Sequence, residues 1–115
     1  MTKDEVLALC TELGHYIIEE FESYNLDFGI DKPYVGASRF NYAYLNLFGK
    51  TVPEDVTESD KGVLKRFLYK VSNEFMETYG YDCSIVECDC AFESGPGYLD
   101  DVEVRFFVGV AYQNI

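Results

Sequence analysis

The sequence predicts a single α+β domain over residues 1–115, with two long amphipathic helices and a short helix packed on a C-terminal antiparallel β-hairpin or small sheet. Three observations predict it. Apolar residues recur at helical spacing over residues 2–24 and again over 60–79. The last third then changes to β-branched and aromatic residues interrupted by turn formers. A length of 115 residues holds one core but not two, and 17% aromatic with 48% hydrophobic content is too rich for a disordered chain.

The first helix begins at Thr2, which with Glu5 has the spacing of a capping box. Val6, Cys10, Leu13, Ile17 and Phe21 make one apolar stripe, while Glu5, Glu12 and Glu19 form a carboxylate row on roughly the opposite side. Residues 25–38 read as a connection punctuated by Gly29, Pro33 and Gly36. The segment 39–49, RFNYAYLNLFG, satisfies two periods at once. Phe40, Ala43, Tyr44, Leu47 and Phe48 fit a helix, with Ser38 and Gly49 as caps. Phe40, Tyr42, Tyr44 and Phe48 equally suit one face of a strand. Five positions and both caps favour the short helix.

The second long helix presents Leu64, Phe67, Leu68, Val71 and Phe75 to the core, and Gly80 stands where a C-terminal cap is expected. Its first half carries Lys61, Lys65, Arg66 and Lys70, and its second half Glu74 and Glu77. That order opposes the helix dipole. Tolerated surface variation is the simpler account, and a charge pattern kept for a partner is the alternative. In the last third, residues 82–92 and 102–112 read as two strands joined by ESGPGYLDD. Val102, Val104, Phe106, Val108 and Val110 share one face of the second. Strict alternation puts Asp82, Ser84, Val86, Cys88, Cys90 and Phe92 on one face of the first. Two strands alone are marginal in water, so the sheet is expected to gain a strand from residues 33–37, from a second copy or from a partner. A homodimer through the hairpin edge is one such completion.

Charge sets the functional expectation. The chain holds 21 acidic and 9 basic residues, a net charge of −12. Residues 1–31 contain eight acids and one base, residues 74–103 nine acids and no base, and seven of the nine bases lie between Lys32 and Lys70. Such a surface repels nucleic acid and anionic membranes and is steered toward basic proteins. The N-terminus has Asp4 and Glu5 where a signal peptide needs positive charge, and no apolar run has transmembrane length. A cytoplasmic location with reduced thiols is therefore expected.

No motif in the chain identifies a reaction. Cys83, Cys88 and Cys90 form C-x4-C-x-C, which lacks the two-residue knuckle of zinc sites, and strand alternation sends Cys83 to the opposite face. Buried thiols are the simpler reading, with no metal or cofactor expected. His15 stands among Glu12 and Glu19 on an exposed helix side, with no nucleophile on that side. Close acidic pairs such as Asp100 with Asp101 arise from composition alone. The ESGPGYLDD loop has neither the Lys nor the following helix of a phosphate cradle.

What remains is an acidic surface with interleaved tyrosines. The expected function is a non-enzymatic inhibitor that binds the basic, nucleic-acid-binding surface of another protein. Its expected contact residues are Glu5, Glu12, Glu19, Tyr81, Asp82, Glu87, Asp89, Tyr98, Asp100 and Asp101. In size and charge the chain resembles DNA-mimic anti-restriction and anti-CRISPR proteins and toxin-immunity proteins, although no motif assigns it to any of them. The alternative is a homo-oligomeric protein that binds a small anionic ligand through Arg39, Lys65 or Arg66. Solubility alone also accounts for acidity.

Overall fold

The computed structural model describes residues 2–21, 33–37, 42–51, 58–93 and 102–112. Its elements are α1 (Lys3–Glu20), β1 (Tyr34–Ala37), β2 (Tyr42–Thr51), α2 (Glu58–Tyr79), β3 (Cys83–Glu93) and β4 (Val102–Tyr112). The four strands form one antiparallel sheet in the order β1-β2-β4-β3. The chain thus consists of two α–β–β halves whose second strands, β2 and β4, pair at the centre. The α+β class and the two long helices agree with the sequence.

The helix ends follow from local chemistry. Thr2 Oγ1 accepts the Glu5 N–H at 3.2 Å and Glu5 Oε1 accepts the Thr2 N–H at 3.4 Å, completing the capping box. At the end of α2, Gly80 takes a left-handed φ of 68°. The Tyr81 N–H then reaches the Met76 carbonyl and the Gly80 N–H the Glu77 carbonyl, at 3.0 and 3.3 Å. This is a Schellman motif, in which glycine avoids the Cβ clash of a left-handed residue.

Residues 42–51 are a strand, and the expected short helix over 39–48 is not formed there. Ala43, Leu45 and Leu47 point into the core while Tyr44 and Phe48 point out. β2 pairs with β4 over its full length and with β1 on its other side. A central strand satisfies backbone groups on both edges, and that tertiary pairing overrides a local helical pattern. Of the three expected sources for an additional strand, residues 33–37 supply one, as β1.

A second correction concerns β3. Ile85 is opposite Val110 and Glu87 is opposite Gly109, so Val86 is an extra residue, a β-bulge. Ile85 faces the core before it, Cys88 and Cys90 face the core after it, and Val86 is 46% exposed. Strict alternation across 82–92 therefore fails at one residue, and Cys83 lies on the same side as Cys88 and Cys90.

Both helices cover one face of the sheet, α1 over β1 and β2 and α2 over β3. Val6, Leu9, Leu13 and Ile17 from α1, with Phe21 at its C-cap, meet Leu68, Val71 and Phe75 from α2 above Leu45, Phe106 and Val108 of the sheet. Phe21 anchors this layer, with its ring centroid 4.8 Å from that of Phe106 and 4.9 Å from that of Phe67. The other face of the sheet is left without a covering element among the described residues.

Candidate partner-binding face

Alternation along the strands builds the uncovered face. Tyr34 comes from β1, Tyr42, Tyr44, Asn46 and Phe48 from β2, Arg105 and Phe107 from β4, and Glu87 and Asp89 from β3. Tyr34, Tyr44 and Phe48 are 67%, 38% and 42% exposed. They are contiguous rather than scattered. The Tyr34 and Phe48 rings meet edge to face at 5.5 Å, and Tyr44 lies within 17° of parallel to Phe107 at 6.4 Å. Contiguous exposed aromatic area of this kind makes the face the candidate for an interaction surface.

The face has an aromatic side and an acidic side. One shallow depression of about 560 Å³ is bordered by Tyr34, Tyr44, Phe48 and Glu103. A second, of about 320 Å³, is bordered by Glu87, Asp89, Arg105 and Phe107. Asn46 borders both, so the two are neighbours on this face of the sheet. The Tyr42 hydroxyl titrates above its ordinary range, first because it is partly desolvated and second because Glu87 is near.

The expected contact residues separate into two surfaces. Glu87 and Asp89 lie on the uncovered sheet face, with Asp89 accepting the Cys90 N–H at 2.9 Å. Glu5, Glu12 and Glu19 are exposed on α1, whose inner side packs on the opposite face of the sheet. Glu5 is engaged in the capping box, and Glu12 accepts a hydrogen bond from Tyr81 Oη at 3.3 Å. Tyr81 is half-buried, its ring 5.7 Å from Phe75 within a cluster that includes Tyr16 and Tyr79. Asp82 is exposed beside it. Tyr98, Asp100 and Asp101 lie outside the described residues, as does Arg39.

The basic first half of α2 has an intramolecular counterpart. Lys65 Nζ approaches Asp89 Oδ1 at 4.0 Å, with both side chains more than half exposed. One base of the inverted charge order of α2, Lys65, thus stands against an acid of β3. A pair this exposed contributes at most about 1 kcal/mol. Tyr69 Oη donates to the Ile85 carbonyl at 3.2 Å. Together with Asp89 on Cys90, it engages backbone groups of the edge strand, so a strand added there must displace side chains.

Cys10, Cys88 and Cys90 are buried among apolar residues, and Cys83 is half-buried. Burial pushes the thiols of Cys10, Cys88 and Cys90 up to about 12, which keeps them protonated and unreactive at neutral pH. Although the bulge turns Cys83, Cys88 and Cys90 to one side, no group of three potential ligands among the described residues is placed to hold a metal. No helix among the described residues is long and apolar enough to cross a membrane.

The aromatic half of the face, Tyr34, Tyr44, Phe48 and Phe107, is absent from the expected contact residues. Its only local signal is the strand alternation of Tyr42, Tyr44 and Phe48, which competes with the helical pattern of the same segment. Compared with protein-family models, curated proteins and solved structures, the chain has no match.

Proposed function

We propose that this protein is a small acidic, non-enzymatic inhibitor that occupies the basic, nucleic-acid-binding surface of a cytoplasmic protein through the uncovered face of its sheet. The observation that carries the reading is the combination on that face of contiguous exposed aromatics with Glu87 and Asp89. Aromatic side chains supply contact area at low conformational cost, and carboxylates on a rigid sheet supply the charge complementary to a phosphate-binding surface. The net charge of −12 steers encounter with such a surface and opposes nucleic acid as a direct ligand. The acids of α1 face away from the sheet and add to the steering field without joining the contact.

The test is capture of partners from a lysate of the natural host by tagged wild-type protein and by a Glu87→Lys, Asp89→Lys variant. The expected outcome is a nucleic-acid-binding protein that the wild type retains at low salt, that duplex DNA displaces, and that the variant does not retain. Retention indifferent to both DNA and charge reversal sinks the reading.

The depression holding Arg105 and Asn46 favours a second reading, a homo-oligomer that binds a small anionic ligand. Glu87 and Asp89 in the same depression oppose an anion, and Lys65 is directed to Asp89. Native mass spectrometry that returned an oligomer carrying a bound anion would replace the first reading with this one.

A further inference from the structure

Two glycines give the uncovered face a finer order. Gly36 of β1 stands opposite Tyr44 in the strand register, and Gly109 of β4 is also opposite Tyr44 and two pairs from Tyr42. A Cβ added at Gly36 would fall inside the tip of the Tyr44 ring, and one added at Gly109 inside the tip of Tyr42. Both rings therefore lie down along the sheet, where any larger residue would hold them off it. Tyr44 and Phe107, nearly parallel, extend this platform.

Carboxylates stand beside the same rings. Glu87 is opposite Gly109, the residue under Tyr42, and Asp89 is opposite Phe107. Each acid is thus next to an aromatic side chain. Arg105, opposite Phe48 and Ala91, lines the same depression, and Lys65 approaches Asp89 at 4.0 Å, so an incoming cation enters at Glu87 and shares Asp89 with Lys65.

We infer that the uncovered face selects arginine over lysine in its basic partner, with guanidinium groups stacking on the Tyr42–Tyr44–Phe107 platform while Glu87 and Asp89 accept their N–H groups. The inference rests on the reading that the partner is a basic protein. A guanidinium is planar, weakly hydrated and forked, so it stacks and donates to a carboxylate at the same time. A lysine ammonium is a compact, strongly hydrated point charge that gains the Coulomb attraction and little of the stacking. The same rings would stack nucleobases, but Glu87 and Asp89 then oppose the phosphates, so single-stranded nucleic acid is the disfavoured occupant.

The experiment compares two synthetic peptides of equal length and net charge, one carrying arginines and one lysines at the same Gly-Ser-spaced positions. Affinities are measured by fluorescence anisotropy at low salt, with a single-stranded oligonucleotide as a third probe. The arginine peptide is expected to bind roughly fivefold more tightly, the scale of one to two exposed cation–π contacts. A Tyr42→Leu, Phe107→Leu variant, checked for folding by circular dichroism, should bring the arginine peptide down to the level of the lysine peptide. Glu87→Gln with Asp89→Asn should weaken both. Equal affinity of the two peptides for the wild type overturns arginine selection while leaving the basic-partner reading intact. Failure of the folded protein to bind either peptide overturns both, as does tighter binding of the oligonucleotide.

Discussion

Leu45 and Tyr44 are neighbours in β2, yet Leu45 is wholly buried beneath α1 whereas Tyr44 is 38% exposed on the other side of the sheet. The same division holds in β4, where Phe106 is fully buried and Phe107 borders the uncovered depression. One face spends its apolar residues on cohesion and the other leaves comparable residues in water. A chain that needed only stability would place Tyr, Phe and Val as the first face does. The second face instead combines exposed rings with carboxylates, the feature on which the proposed partner contact rests.

That contrast breaks most sharply at the neighbouring pair. Leu45→Ala should cost about 2–5 kcal/mol in urea unfolding through lost burial and the cavity left behind. Tyr44→Ala, which loses cross-strand contacts of an exposed ring, should cost about 1 kcal/mol or less. In partner binding the order should invert, with Tyr44→Ala the damaging change. If the two substitutions destabilise equally, the faces are not the distinct surfaces their exposure implies.

Alkaline pH probes the buried thiols of the covered face. Cys10, Cys88 and Cys90 have folded-state values of about 12 against 9.0 for a free thiol, because burial disfavours the thiolate. A value raised on folding means that the unfolded chain releases protons first, so this stability is complete below pH 9 and is lost as pH rises toward 12. The urea midpoint should therefore fall over that window, and Cys10→Ala should flatten the fall. A midpoint unchanged up to pH 11 would mean that the thiols are not buried as described.

Gly14 tests how closely α1 sits on the sheet. A Cβ there would lie 2.5 Å from the Pro33 ring and 3.2 Å from Leu45. Proline cannot swing aside, so Gly14→Ala should lower stability by about 1–3 kcal/mol despite the better helix propensity of alanine. The smallest effect is expected at the exposed ion pair. Lys65→Ala should shift unfolding by roughly 0.5 kcal/mol or less, and the shift should vanish in high salt.

Those elements whose signals are local were legible in the sequence. Thr2 with Glu5 marks the start of α1, Gly80 marks the end of α2, and Val104, Phe106, Val108 and Val110 mark the buried side of β4. β2 was not, because its residues satisfy the helical and the strand period together and only pairing with β1 and β4 decides between them. Large aromatics also read as core, whereas here Ala43, Leu45 and Leu47 are the core residues and Tyr44 and Phe48 are outside. The site divides likewise. Glu87 and Asp89 were legible as acids on a strand, but the laying of Tyr44 on Gly36 and Tyr42 on Gly109 joins residues on different strands, which no local pattern carries.

Val86 carries a consequence for insertions and deletions. Cys83 and Ile85 before it and Cys88 and Cys90 after it all face the helices, so the strand keeps its sidedness only because one residue is skipped. Deleting Val86 would place Ile85 directly before Glu87 and restore unbroken alternation, with every remaining side chain on the face it already occupies. A one-residue deletion inside a strand ordinarily inverts everything beyond it. Here the chain is expected to remain folded, with an edge strand that twists less.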